Sequence, residues 1–203
     1  SLLWGMLSSV LTQKFTHLFK ILDFDHDGLL QRRDFQSLGD NVAIFRCLMP
    51  PSEIEDFITA RGQDFWNQLT AFLANQEPSR CNLTNWLKYL EAIAVNEIYG
   101  KFDEIAKQMA DDIFYIYDKD HNNFLSKQEY MCFFVSLRVE IKFIDICFKK
   151  LDLNGDLQLS KDELASAIVD FFTSEDTKKP GNLLFGNPET YQFDTRKTVF
   201  TEV

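Results

Sequence analysis

The chain has 203 residues, of which 45% are hydrophobic and 26% are charged, as in ordinary globular proteins. Its formal net charge of −10 would repel phosphate backbones and anionic lipid headgroups, which argues against a nucleic acid partner and against stable membrane insertion. No apolar run reaches the length of about 18 residues that indicates a transmembrane helix, so none is predicted.

The spacing of apolar residues predicts eight helices, and hence an all-α fold. The first helix ends near Leu22, and the second ends before the proline pair at 50–51. A capping box, Ser52 with Glu55, begins the third helix, which Pro78 ends. The remaining helices are predicted from 86 to near Gly100, over 102–117, around 130–134, over 143–151 and over 164–172.

Polar loops separate these helices in pairs, which indicates a repeated helix–loop–helix unit. Such loops begin at Asp23, Asp118 and Asp152, and the interval between the first two leaves room for one more unit, with its loop near 76–87. We therefore predict four units in two paired lobes, with the lobes at about 1–99 and 100–175.

The first loop carries oxygen-bearing side chains at alternating positions, as a calcium site requires. Calcium takes six to eight oxygen ligands, and a twelve-residue loop supplies them from positions 1, 3, 5, 7, 9 and 12, with a backbone carbonyl at position 7. Position 12 is aspartate here, one methylene shorter than the usual two-oxygen glutamate, which either favours magnesium or weakens calcium binding. The predicted ligands are Asp23, Asp25, Asp27, Leu29, Gln31 and Asp34.

The second and third loops fit the same pattern and end in glutamate. Position 6 of such a loop needs a positive φ, which Asn123 tolerates well in the second loop. Leu157 holds that position in the third loop at a cost of about 1–2 kcal/mol, which we expect to lower affinity about tenfold. The predicted ligands are Asp118, Asp120, Asn122, Phe124, Ser126 and Glu129 in the second loop, and Asp152, Asn154, Asp156, Gln158, Ser160 and Glu163 in the third.

Part of this pattern has a simpler explanation in helix capping. Ser126 with Glu129, and Ser160 with Glu163, are also capping boxes that begin helices. Capping does not explain aspartate or asparagine at positions 1, 3 and 5 together with an apolar residue at position 8, and this combination occurs three times. We therefore interpret all three loops as metal sites.

The loop near 76–87 lacks the ligand pattern. Pro78 and Arg80 stand where ligands belong, and Leu87 stands at position 12. We predict a metal-free unit that is retained for pairing with the first loop.

These loops resemble those of the sarcoplasmic calcium-binding protein family, which are EF-hand proteins related to calexcitin, calerythrin and the coelenterazine-related proteins. The resemblance covers nearly the whole chain and includes a C-terminal segment with Pro180, Asn182 and Phe185. It implies four EF-hand units, the second degenerate, in a compact body on which the segment 176–203 packs. Asp34, Leu157 and the tail 187–203 depart from the family pattern.

The loops and the resemblance favour an intracellular calcium buffer or signal transducer with three metal sites. Four methionines against twenty phenylalanines favour a compact buffer over a sensor with a methionine-rich groove. The alternative is a carrier of an apolar ligand, such as a luciferin-binding protein or photoprotein. The histidines, however, are only His17, His26 and His121, and the last two fall at loop position 4, where we expect them to face solvent.

The cysteines Cys47, Cys81, Cys132 and Cys147 lack paired spacing, so we predict buried, reduced thiols in a cytoplasmic protein. No motif for hydrolysis or nucleotide binding is present, so no enzyme activity is predicted. We expect calcium ions as the ligands, magnesium as an alternative ion at the first loop, a protein target only for a sensor, and a monomer.

Overall fold

The computed structural model describes residues 7–45, 53–74, 81–98 and 101–186, with the backbone alone for Phe45 and Ala74. Within these ranges it confirms the predicted all-α class, and the helices are α1 (Ser9–Leu22), α2 (Arg32–Phe45), α3 (Glu53–Ala74), α4 (Leu83–Leu90), α5 (Phe102–Tyr117), α6 (Lys127–Ser136), α7 (Ile144–Leu151) and α8 (Lys161–Thr173). Short strands lie between paired helices, namely β1 (Leu29–Leu30), β2 (Cys81–Asn82), β3 (Phe124–Ser126) and β4 (Gln158–Ser160).

Three shorter helical turns within the described ranges differ from the predicted regular helices. A π-helical turn, Glu91–Val95, extends α4, and a 3-10 turn, Ile141–Phe143, leads into α7. A second 3-10 turn, Pro180–Leu183, follows α8. Apolar spacing identifies helical residues but does not distinguish hydrogen bonds that span three, four or five residues, which is why these turns were not predicted. The predicted cap Ser52 and helix end Gly100 lie outside the described residues.

Each of the three candidate loops begins where a helix ends. The backbone N–H groups of Asp23, Asp118 and Asp152 each donate to the carbonyl four residues earlier over 2.9 Å, which closes the last turn of α1, α5 and α7. Ser126 and Ser160 cap the helices that follow the second and third loops, and both predicted capping boxes form. The loops are therefore held at both ends by rigid helices.

The strands join the loops in two antiparallel pairs. Leu30 of β1 lies opposite Cys81 of β2, and Leu125 of β3 lies opposite Leu159 of β4. Leu30, Leu125 and Leu159 stand at position 8 of their loops and are completely buried. Each strand thus pairs two loops through backbone hydrogen bonds while its apolar side chain enters the core.

Aromatic side chains fill the core between the helices. Helix α8 packs against both α1 and α5, so it contacts helices from both halves of the chain. Phe15 of α1 and Phe171 of α8 are completely buried, and the rings of Phe171 and Phe185 meet edge to face with centroids 4.8 Å apart. The aromatic core that the twenty phenylalanines predict is therefore present.

The segment after α8 folds back onto the body. The Tyr130 hydroxyl donates to the Leu184 carbonyl over 2.9 Å, and His17 Nε2 lies 2.7 Å from the Phe185 carbonyl oxygen. Both Leu184 and Phe185 are buried. The tail 187–203 lies outside the described residues, so the structure does not test its relation to the body.

Among the described residues, Cys81, Cys132 and Cys147 form no disulfide bond. Burial raises the pKa of Cys81 and of Cys147 to about 12, so both remain protonated at neutral pH. Cys47 lies outside the described residues. No described helix combines the length and the apolar character needed to cross a membrane.

Candidate metal centres

The first loop gathers three acidic side chains around its interior. Carboxylate oxygens of Asp23, Asp25 and Asp34 lie within 4.8 Å of one another. The Oδ2 atom of Asp23 accepts a hydrogen bond from the Gly28 N–H over 2.9 Å, whereas its buried Oδ1 has no hydrogen-bond partner among the described residues. A buried carboxylate oxygen without a donor is costly, so this atom is suited to contact a cation.

Asp34 closes the first loop from the start of α2. Its Oδ1 accepts from the Phe24 N–H over 3.0 Å and its Oδ2 from the Gln31 N–H over 2.7 Å, and only 1% of the residue is exposed. Burial raises the pKa of the Asp34 carboxyl, which its two hydrogen bonds oppose and the nearby Asp25 and Asp23 reinforce. The shorter side chain therefore lies in a strongly acidic, water-poor environment.

The other predicted ligands of the first loop stay close to the surface. Asp25 Oδ1 accepts from the Asp27 N–H over 3.2 Å, and Asp27 Oδ1 accepts from the Leu29 N–H over 2.9 Å. The Gln31 side-chain amide donates to Asp27 Oδ2 over 2.9 Å. These bonds fold the loop into successive turns, and the second carboxylate oxygens of Asp25 and Asp27 contact the Arg33 guanidinium.

The second loop repeats this arrangement with glutamate at its end. Carboxylate oxygens of Asp118, Asp120 and Glu129 lie within 4.8 Å of one another. Asp118 Oδ2 accepts from the Asn123 N–H over 3.0 Å, and Asn122 Oδ1 accepts from the Phe124 N–H over 2.8 Å. The predicted carboxylate ligands at positions 1, 3 and 12 thus border one small space, and the Asn122 side-chain amide donates to Asp120 Oδ2 over 3.0 Å beside them.

Glu129 bridges the two ends of the second loop. Its Oε1 accepts from the Lys119 N–H over 2.8 Å, and its Oε2 accepts from the Ser126 N–H over 2.9 Å and from the Ser126 hydroxyl over 2.8 Å. Burial alone would raise the pKa of Glu129, but the hydrogen bonds from Ser126, Lys119 and Asp120 together lower it below the ordinary value. Glu129 is therefore ionised at neutral pH.

The third loop has the same hydrogen bonds. Asp152 Oδ2 accepts from the Leu157 N–H over 3.0 Å, and Asn154 Oδ1 accepts from the Asp156 N–H over 2.9 Å. Glu163 Oε1 accepts from the Leu153 N–H over 2.9 Å. The remaining predicted ligand residues are Gln158, whose N–H donates to Asp156 Oδ1, and Ser160, whose N–H and hydroxyl donate to Glu163 Oε2.

Three hydrogen bonds to the side chains of positions 1 and 12 are therefore common to all three loops. The position-1 aspartate accepts from the position-6 N–H, and the position-12 carboxylate accepts from the N–H groups of positions 2 and 9. The hydroxyls of Ser126 and Ser160 face the position-12 carboxylate, which is the capping interaction considered from the sequence. Capping and ligand placement thus use the same glutamate side chains.

The backbone supports the loops with left-handed residues. Position 6 has a positive φ in each loop, as predicted, at Gly28 (81°), Asn123 (64°) and Leu157 (68°). Position 4 is also left-handed, at His26, His121 and Gly155, which was not predicted. Gly155 was the available signal, because glycine is the residue that adopts a positive φ without steric cost. His26 and His121 are exposed, as predicted.

The predicted metal-free loop is only partly described. Residues 75–80 lie outside the described ranges, so the positions of Pro78 and Arg80 are not tested. Cys81–Asn82 forms the strand that pairs with β1, and Asn82 caps α4 by accepting from the Asn85 N–H over 3.0 Å. The pairing partner of the first loop is thus in place, while its lack of ligands stays a prediction.

The second and third loops match the model of a known protein family. The EF hand family model matches residues 110–133 and 143–169, which contain these two loops and their flanking helices. No curated protein matches the chain.

Solved structures share the fold over most of the chain. A sarcoplasmic calcium-binding protein from amphioxus is 16% identical, with a TM-score of 0.66, over 89% of this chain and 98% of the other. The coelenterazine-binding protein from Renilla muelleri, in a calcium-loaded apo form, is 19% identical with a TM-score of 0.62, over 89% of this chain and 99% of the other. Okadaic acid binding protein 2.1 is 15% identical with a TM-score of 0.70, over 90% and 97%. The chain therefore has the fold of the sarcoplasmic calcium-binding proteins, as the resemblance implies, and its second and third loops match the EF hand model.

Proposed function

We propose that the chain binds calcium at three loops, 23–34, 118–129 and 152–163. The observation that carries this proposal is the inward-facing carboxylate at position 12 of every loop, opposite a position-1 aspartate. In the first loop the buried Asp23 Oδ1 lacks a hydrogen-bond partner among the described residues, and oxygen donors of this kind are those that calcium prefers. A bound divalent ion supplies the positive charge that offsets repulsion among the carboxylates.

The side chains of positions 1, 3, 5 and 12 hold the ion in each loop. Position 7 supplies a backbone carbonyl from Leu29, Phe124 or Gln158. At position 9, Gln31, Ser126 and Ser160 complete the predicted set. The first loop differs from the others in its shorter Asp34, so we propose magnesium as a competing ion there.

We propose a buffer-like role rather than a sensor role. Sensors expose methionine-rich grooves when loaded, whereas the described interior is dominated by interlocking aromatic rings such as those of Phe171, Phe172 and Phe185. The protein would act as a cytoplasmic monomer without enzyme activity, with lobes at 1–99 and 100–175, a metal-free second unit and a packed segment 176–203. We expect a protein target only if calcium binding exposes apolar surface, which an apolar dye would detect.

Calorimetric calcium titration tests the three sites. We expect three ions in the wild type and the loss of one ion each from Glu129→Gln, Glu163→Gln and Asp34→Asn. Asp162→Asn is the matched control, because Asp162 precedes Glu163 in the same loop but holds no ligand position. Three ions in the Glu129→Gln and Glu163→Gln variants would refute the proposal.

A carrier of an apolar ligand is the second candidate, and it is favoured by the fold shared with the coelenterazine-binding and okadaic acid binding proteins. Against it, the polar groups of two buried aromatic side chains already have partners within the chain. The Trp86 indole N–H donates to the Phe15 carbonyl over 2.9 Å, and Tyr130 donates to Leu184. Mass spectrometry of the purified protein under native conditions would support this candidate by showing a bound small molecule.

A further inference from the structure

The first loop holds a cationic side chain among its own ligands. Arg33, at loop position 11, places Nη2 2.6 Å from Asp25 Oδ2, and the same nitrogen contacts Asp27 Oδ2. These two carboxylates stand at ligand positions 3 and 5. The guanidinium therefore bridges two of the oxygens that the proposed ion needs, and its side chain remains 55% exposed and free to swing away.

The other two loops have no such residue at position 11. Gln128 occupies it in the second loop and Asp162 occupies it in the third, so one is neutral and the other is acidic. Only the first loop of the three combines a cation at position 11 with carboxylates at both position 3 and position 5, since Asn122 and Asn154 replace one carboxylate in each of the others. The contact is therefore a property of this loop and not of the repeated unit.

Cations at the neighbouring position 10 turn away from their loops. Lys127 pairs with Asp145 and Lys161 pairs with Asp111, each over 2.9 Å, and neither partner is a predicted ligand. The loop position of a cationic side chain thus determines which carboxylates it contacts. A side chain at position 11 reaches back over positions 3 and 5, whereas one at position 10 points towards other helices.

We propose that Arg33 is an internal competitor for the cation of the first loop and sets the affinity of that loop below what its four carboxylates would give. This inference rests on the proposed function, because it assumes that the first loop binds a divalent ion. Binding must release the guanidinium from Asp25 and Asp27. Since both ion pairs are partly exposed, each is weak and is screened by salt, so we expect a three- to tenfold effect that shrinks as salt concentration rises.

Glycine-selective isotope labelling can follow each loop in the intact protein. The chain has eight glycines, and Gly28 lies in the first loop whereas Gly155 lies in the third. The Gly28 N–H donates to Asp23 and the Gly155 N–H donates to Asp152 over 2.7 Å, so both amide signals should shift when calcium binds. Gly28→Asn, which copies position 6 of the second loop, assigns the Gly28 signal.

The test compares Arg33→Gln with Arg32→Gln. Both variants remove one positive charge, but Arg32 has no ion pair with the loop carboxylates in the described structure. We expect the calcium concentration at which the Gly28 amide signal has shifted halfway to be three- to tenfold lower in Arg33→Gln than in Arg32→Gln. The corresponding midpoint of the Gly155 signal should be the same in both variants. Arg33→Lys, which keeps the charge but loses the planar fork, should fall between the wild type and Arg33→Gln.

Failure of this inference differs from failure of the proposed function. Equal Gly28 midpoints in Arg33→Gln and Arg32→Gln at low salt would refute the role of Arg33 while leaving the first site intact. A Gly28 signal that calcium does not move in any variant, while the Gly155 signal moves, would refute the first metal site itself.

Discussion

Replacing Asp34 with glutamate tests how the first loop chooses its ion. Asp34 makes the same two backbone hydrogen bonds as Glu129, although its side chain is one bond, about 1.5 Å, shorter. The start of α2 must therefore lie closer to the loop interior than the start of α6. A longer side chain would push α2 outwards and offer both carboxylate oxygens to a larger ion.

The expected magnitudes follow from these contacts. One additional charge-assisted contact is worth about 1.5–3 kcal/mol, which corresponds to a rise of about ten- to a hundredfold in the preference for calcium over magnesium. Magnesium gains little, because it requires a smaller, six-coordinate site. Since Asp34 is 1% exposed, the extra methylene should also lower the free energy of unfolding of the metal-free protein by about 1–3 kcal/mol.

The Gly28 amide signal supplies the assay for Asp34→Glu, titrated with calcium in the presence and absence of millimolar magnesium. Glu129→Asp is the reverse change in the second loop, and calorimetry should show weaker calcium binding there. An unchanged ratio of calcium to magnesium affinity in Asp34→Glu would refute the argument from side-chain length.

Three further predictions concern stability measured by urea unfolding. Gly181→Ala should lower the free energy of unfolding by about 2 kcal/mol or more, because the added Cβ would lie 2.2 Å from the Ala167 carbonyl oxygen. Gly62→Ala within α3 should instead raise the free energy of unfolding by about 0.5–1 kcal/mol. Equal effects of the two variants would contradict the close packing at Gly181. Leu157→Gly should raise the free energy of unfolding by about 0.5–1 kcal/mol, because glycine relieves the strain of the left-handed backbone and the leucine side chain that is lost is 77% exposed. A lower free energy of unfolding in this variant would contradict the prediction. Burial lowers the pKa of Lys14 from 10.5 to about 8, so the unfolded chain binds more protons than the folded chain between these pH values. The free energy of unfolding, relative to that of Lys14→Met, should therefore rise from pH 8 to pH 10. Parallel pH profiles of stability for the wild type and Lys14→Met would refute this prediction.

The local features of the loops could be predicted from the sequence because each depends on a few neighbouring residues. The helix ends at Leu22, Tyr117 and Leu151 were predicted from apolar spacing and agree with the observed bounds. The left-handed backbone at Leu157 was predicted from its loop position alone. These features are set by steric limits on φ and ψ and by capping, which act over a single turn.

Contacts between distant residues could not be predicted in this way. Lys14 lies buried in α1 and its ammonium donates to the carbonyls of Asp170 and Ser174 at the end of α8, over 2.9 and 2.7 Å. Apolar spacing would place a lysine on an exposed face, and only the packing of α1 against α8 shows that it caps another helix. The same limit applies to Arg138, whose guanidinium donates to the Phe24 carbonyl and so links the linker before α7 to the first loop.

The three loops therefore share their ligand geometry but differ in what surrounds it. The second and third loops pair with each other through Leu125 and Leu159, and both end in glutamate. The first loop pairs instead with β2, ends in the shorter Asp34 and is bridged by Arg33. Because all three loops place their position-1 and position-12 carboxylates alike, we expect differences in affinity to come from Asp34 and Arg33 in the first loop and from the left-handed Leu157 in the third. We therefore expect binding at the first loop to displace Arg33 from Asp25 and Asp27, a step that the other two loops, with Gln128 and Asp162 at the same position, do not require.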